Sequence, residues 1–247
     1  MDTVLITGGS RGIGRATALL AAERGWSVAI NYRNDAQAAA EVVAEVHRRG
    51  VRATTIRGDV SVEADVVAMF AKAQVDLGPL RGVVVNAGIT APAMRLADMT
   101  AERLRRMFEV NVLGAYLCAR EASRVLSRSR GGKGGSVVLV SSGAARFGSP
   151  GTYVDYAGSK AALDTLAMGL GKELGPEGVR VNSIRPGLIE TEIHATTGDP
   201  DRARKLGAAT PLGRPGKPQE IAEAIVWLLS DSSSYVTGSV LDIAGGL

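Results

Sequence analysis

The chain has 247 residues, 45% hydrophobic, 22% charged and only 4% aromatic, with 31 glycines. These proportions exclude a disordered or fibrous chain, and the length supplies a core that needs no disulfide staples. Lysine and arginine outnumber aspartate and glutamate by 29 to 25, but the basic residues are scattered and few aromatics lie among them, which argues against nucleic acid as a partner.

Short β-branched runs alternate with longer helical patterns along the chain. Residues 3–7 read as a strand, 12–24 as a helix of small residues and 28–31 as a second strand, which makes a βαβ unit. A helix from Asn34 to about Arg49 follows, with Gln37 as the third residue of a capping box and Gly50 as its stop. Strands at 53–57, 82–86, 136–141, 179–184 and 239–243 are separated by helices at 62–76, 100–127, 156–174 and 218–230. This alternation predicts an α/β fold: a doubly wound parallel sheet of about seven strands with helices on both faces.

No interdomain linker interrupts the pattern, so 1–247 is expected to form a single domain. The basic, glycine-rich stretch 127–135 reads as a surface loop. Residues 188–217, with Pro200, Pro211 and Pro215, read either as a flap over a ligand or as an ordinary irregular connection. The single cysteine, Cys118, can form no internal disulfide and reads as a packing residue, while His47 and His194 lie outside any metal-ligand spacing. No metal is expected. No stretch reaches about 18 apolar residues, and the expected location is the cytoplasm, away from the membrane.

The first strand ends in Thr7-Gly8-Gly9-Ser10-Arg11-Gly12-Ile13-Gly14, and a helix begins inside this cluster. Glycines let the backbone turn tightly and approach a pyrophosphate, and the helix N-terminus offers it unpaired N–H groups. The spacing departs from GxGxxG, so the turn alone is also readable as a glycine-rich bend. After the second strand, where a carboxylate would select NAD(H) through the ribose hydroxyls, the chain reads Asn31-Tyr32-Arg33. Asp35 stands at the helix start and reads as a cap. Arg33 and Arg11 are placed instead to clamp a 2′-phosphate. The expected cofactor is NADP(H).

Tyr156 and Lys160 lie one helical turn apart and share a face. A free tyrosine, with a pKa of about 10, exchanges protons poorly at neutral pH, and a neighbouring ammonium would lower that value. Tyr153 is a weaker rival, because Ala157 stands four residues after it.

With these motifs in hand the chain resembles the short-chain dehydrogenase/reductase family along essentially its whole length. The turn at 7–14 looks like that family's cofactor turn, Asn86-Ala87-Gly88 like its NAG motif, Asn111 like its helix asparagine and Tyr156-x3-Lys160 like its catalytic pair. Pro186, Gly187, Ile189 and Thr191 look like the segment that meets the nicotinamide carboxamide, and Asp59-Val60 like the adenine contact, although Asp59 also fits a helix cap beside Ser61. The resemblance implies a Rossmann-type sheet and hydride transfer between nicotinamide and a carbonyl or carbinol carbon. Tyr156 would be the general acid or base, Lys160 would lower its pKa and bind the nicotinamide ribose, and Asn111 would hold a relay water. The family's serine would be Ser142, fourteen residues before Tyr156, one more than the usual interval; an inserted residue between 144 and 152 accounts for this, and Ser141 is the alternative.

The resemblance also implies a homotetramer, and the 156–174 helix is small or apolar around most of its circumference, as a helix covered from two sides should be. Pocket candidates are Ser142, Arg146, Phe147, Tyr153, Leu188, Glu192 and His194. Two substrate classes compete. One is a 3-oxoacyl thioester or other ketone, with Arg124, Arg128, Arg130 and Lys133 meeting an acidic carrier protein; the other is a sugar or polyol. A non-catalytic NADPH-binding regulator is the reading from another class.

Overall fold

The computed structural model describes residues 2–192 and 202–247. Its strands are β1 (Thr3–Ile6), β2 (Ser27–Tyr32), β3 (Ala53–Arg57), β4 (Leu80–Val85), β5 (Gly135–Val140), β6 (Val179–Pro186) and β7 (Val240–Ile243). They form one parallel sheet in the order β3-β2-β1-β4-β5-β6-β7. The helices are α1 (Gly12–Glu23), α2 (Ala36–His47), α3 (Glu63–Leu77), α4 (Ala101–Phe108), α5 (Gly114–Leu126), α6 (Ala144–Phe147), α7 (Val154–Leu174), α8 (Arg202–Gly207) and α9 (Pro218–Leu229).

Strands this apolar cannot leave either face wet, and alternate residues feed two cores. Leu5, Val83, Val85, Val137 and Leu139 pack with α3, α5 and α7; Val4, Ile6, Val84, Val138 and Val140 pack with α1, α2 and α9. The chain leaves β1 towards one face and β4 towards the other. Their carboxyl ends therefore part, and the crevice between them is where a doubly wound sheet binds ligands. Among the described residues no helix is long and apolar enough to cross a membrane.

The order of the strands agrees with the sequence reading, and the differences are helix ends, one interrupted helix and the two short helices α6 and α8, which that reading did not include. The cap of α2 is Asp35, whose carboxylate accepts from the Ala38 N–H at 3.0 Å, and not Asn34. Gln37 donates to Glu41 instead of completing a capping box. The helix expected over 100–127 is two helices joined by a π turn at Glu109–Leu113. The helix expected from 156 begins at Val154, ahead of Tyr156. In the 188–217 segment, 193–201 lie outside the described residues; beyond them come α8 and a bridge that pairs Ile189 with Gly216.

Candidate active site

The carboxyl ends of β1 to β6 open into one cleft of about 720 Å³, within the roughly 300–1,000 Å³ usual for small-molecule sites. Ser10, Arg11, Gly12 and Ile13 line it after β1, Arg33 after β2, Asp59 and Val60 after β3, and Asn86, Ala87 and Gly88 after β4. Ser142, Tyr156 and Lys160 line its far end, with Pro186, Gly187, Ile189 and Thr191 after β6.

The turn after β1 is built as a cradle. Gly8 has φ +60°, a left-handed conformation that a side chain would strain, and a Cβ on Gly14 would stand 2.3 Å from the Gly8 carbonyl oxygen. Gly14 therefore lies under the cleft, where it lets α1 press against the turn. No side chain caps α1 and no acid occupies its first turn, so its N–H groups and positive pole are left for an anion. Thr7 fastens the neighbouring strand end, accepting from the N–H groups of Asn86 and Ala87 at 2.9 and 3.0 Å. The Asn86 amide donates to the carbonyls of Thr7 and Gly8. An uncapped helix end behind a glycine cradle fits a dinucleotide pyrophosphate.

Ser142, Tyr156 and Lys160 converge on the floor. The Ser142 hydroxyl hydrogen-bonds Tyr156, and burial pushes the Tyr156 hydroxyl above its usual 10.0 while that bond works against the rise. Ser141 is turned away: its buried hydroxyl donates to the Lys160 carbonyl at 2.9 Å. Burial pulls the Lys160 ammonium down to about 8, with the Asp164 charge opposing. The ammonium donates to the Val140 carbonyl at 2.8 Å and lies 5.8 Å from the Tyr156 ring centre. Burial and the Ser142 hydrogen bond thus act on Tyr156 in opposite directions, and the ammonium one turn away is itself desolvated.

Asn111 stands in the π turn behind Gly88. Its Oδ1 accepts from the Ile89 N–H at 2.8 Å and its Nδ2 donates to the Ile89 carbonyl and the Ser159 hydroxyl at 2.9 and 3.0 Å. Protein partners thus satisfy the amide. Asp59 does not cap α3, whose N-cap is Val62 with no side-chain bond; its carboxylate accepts from the N–H and hydroxyl of Ser61 in the turn ahead of the helix, at 2.9 and 2.6 Å, and it also pairs with Arg33 at 2.9 Å.

Of the pocket candidates, Phe147, Tyr153, Leu188 and Glu192 line the cleft, while Arg146 turns towards Asp242. His194 lies outside the described residues. Arg128, Arg130 and Lys133 precede β5 and so sit at the opposite pole of the sheet, roughly 15–20 Å from the cleft at strand rise. Three residues went unremarked. Asn31, buried at a strand end, accepts from the Gly8 N–H at 3.2 Å and donates to the Gly58 carbonyl at 3.0 Å, tying three strand ends together. Ser159 bridges Asn111 and the Tyr156 carbonyl. Arg106 reaches Asp59 from α4. A polar residue closing an apolar strand was the available sign for Asn31; the other two carried none.

Comparison with known proteins agrees with this geometry. Residues 8–247 match the family model described as enoyl-(acyl carrier protein) reductase. The chain is 50% identical to the uncharacterized oxidoreductase YgfF of Escherichia coli, over 100% of both chains. It is 41% identical to an L-rhamnose 1-dehydrogenase (NAD(P)+) of Sphingomonas sp., over 99% of this chain and 95% of the relative. A double mutant of a Serratia marcescens short-chain dehydrogenase/reductase superposes with a TM-score of 0.91 at 31% identity, covering 99% of this chain and 97% of the other.

Proposed function

Since the chain belongs to the short-chain dehydrogenase/reductase family, we propose that it is an NADP(H)-dependent oxidoreductase that interconverts a hydroxyl of a small sugar or polyol and the matching carbonyl. The observation that carries this reading is the Ser142–Tyr156 hydrogen bond with Lys160 beneath it, at the far end of the cleft from the glycine cradle. A sugar is favoured over a carrier-bound thioester because the basic loop lies at the wrong pole, and because a relative 41% identical is named for rhamnose. Arg33, on the adenosine side, supports NADP(H), since the acid that follows β2, Asp35, is engaged as the cap of α2.

The nicotinamide, when bound, supplies or accepts the electron pair with its hydrogen. Tyr156, kept protonated at neutral pH by burial, gives its phenolic proton to the carbonyl oxygen in reduction and takes the alcohol proton in oxidation. Ser142 donates to the same oxygen and aligns it. Lys160 sits below to return the proton, and Asn111 with Ser159 fixes the helix that carries the pair. Tyr116 of α5 and Met168 of α7 stay 43% and 41% exposed, in keeping with a second copy covering that face in a homotetramer.

The test is a panel of sugars, polyols, ketones and 3-oxoacyl thioesters followed by NADPH absorbance, with Tyr156→Phe as control. The variant should bind NADP+ as wild type does and lose roughly 100-fold or more of its turnover. Turnover of thioesters alone would overturn the substrate class. Full activity in the variant would overturn the mechanism.

A further inference from the structure

Asp59 lines the adenosine end of the cleft with three hydrogen-bond donors and an ion-paired guanidinium on its carboxylate. Its Oδ1 takes the N–H and hydroxyl of Ser61 at 2.9 and 2.6 Å. Its Oδ2 accepts from Arg106 Nη2 at 3.4 Å and is ion-paired with Arg33, whose Nε lies 2.9 Å away. The two guanidiniums differ in how firmly they are held. Arg33 comes from the loop after β2 with a side chain 54% exposed, and Arg57 meets only its main-chain carbonyl. Arg106 comes from α4, is 35% exposed and has a second anchor in the Ser61 hydroxyl at 3.2 Å.

The proposed function asks two things of this cluster: Arg33 should meet the 2′-phosphate, and Asp59 should accept from the adenine amine. In the structure each blocks the other. Arg33 is paired with Asp59, and its guanidinium covers the Oδ2 that the amine would need. One exchange resolves both demands. A phosphate dianion is a stronger partner for a guanidinium than a carboxylate that already holds three other donors. If the exposed Arg33 swings to it, a place on Oδ2 opens for the amine, while Arg106 and Ser61 keep the carboxylate charged and aimed.

We propose that the Arg33–Asp59 ion pair is a latch that makes recognition of the adenine amine conditional on the 2′-phosphate, and that Arg106 is the positioning residue that holds Asp59 when the latch opens. A dinucleotide without the phosphate gives Arg33 nothing to move to, so Asp59 stays closed to its amine. The proposal rests on the NADP(H) reading and adds to it a coupling between two parts of one ligand.

Calorimetric titration of the whole protein with NADP+, NAD+ and their hypoxanthine analogues, which lack the amine, tests this without turnover. Losing the amine should weaken the 2′-phosphorylated ligand about tenfold, the value of one hydrogen bond, and leave the unphosphorylated ligand nearly unchanged. In Arg33→Gln the latch is gone, and losing the amine should then cost the same in both pairs. Arg106→Gln should weaken NADP+ but not its hypoxanthine analogue; equal weakening of both would mean that Arg106 touches the phosphate itself and would overturn its assigned part. Equal amine effects with and without phosphate in the wild type, with NADP+ still preferred, overturn the latch alone. Equal affinity for NADP+ and NAD+ overturns the NADP(H) reading as well.

Discussion

The ammonium of Lys160 is the group whose burial has the most measurable consequence. Its pKa falls from 10.5 in an open chain to about 8 in the fold. Between those values the unfolded chain binds a proton that the folded one does not, so stability rises with pH across the window. Below pH 8 the fold carries the whole penalty, about 3 kcal/mol, since each tenfold loss of proton affinity costs about 1.36 kcal/mol; of this about 1 kcal/mol is relieved between pH 7 and 9. Lys160→Met fills the same space without a charge. It also strands the Val140 carbonyl, but that cost does not vary with pH. Melting both proteins at pH 7, 8 and 9 isolates the titration, since every other lysine is common to the pair. Wild type should gain on the variant by about 1 kcal/mol, roughly 2–4 °C in Tm for a chain of this size. A difference in Tm that stays constant from pH 7 to 9 would refute a buried ammonium titrating near 8.

The two serines after β5 should separate cleanly. Ser142→Ala should lower turnover roughly 100-fold with little change in Tm, and Ser141→Ala should cost about 1 kcal/mol of stability with turnover retained; the opposite pattern in steady-state kinetics and melting would exchange their roles. Arg103 holds the fully buried Asp155 carboxylate at 2.8 and 3.3 Å and the Pro92 carbonyl at 2.6 Å. Arg103→Met should therefore cost about 3–5 kcal/mol in urea unfolding, with much of it recovered in the double variant with Asp155→Leu. Gly14→Ala puts a methyl 2.3 Å from the Gly8 carbonyl and should abolish NADP+ binding in the same calorimetric titration, whereas an unchanged Kd would show that the turn tolerates a shift.

The sheet was legible because fully buried parallel strands are continuous apolar runs, unlike the helices between them in both length and period. Strand direction carried more than was drawn from it. Residues before a strand and residues after it occupy opposite poles, which already separates Lys133 from Ser142. Alternation along β5 sends Leu139 and Ser141 to the α7 side, where Ser141 is spent on the Lys160 carbonyl, and Ser142 reaches Tyr156 only because the chain has left the strand and turned. The Arg33–Asp59 pair was hidden because it depends on register, with Tyr32 opposite Arg57 across β2 and β3. Asn34 and Asp35 are both good caps, and only the reach to the Ala38 N–H decides between them.

The interruption at Glu109–Leu113 is the one departure with no trace in the helical pattern. A π turn is an α-helix carrying one residue too many, and that surplus can be removed. Deleting Val112 would let α4 and α5 run on as a regular helix, with its second half rotated by about 100° relative to its first. The hydrogen bonds of the backbone would improve, while the side chains that now face Ile89 and Ser159 would move off them. At this point in the chain the more regular helix and the working protein are different molecules, and a search for stabilising deletions would be drawn to the residue the site can least spare.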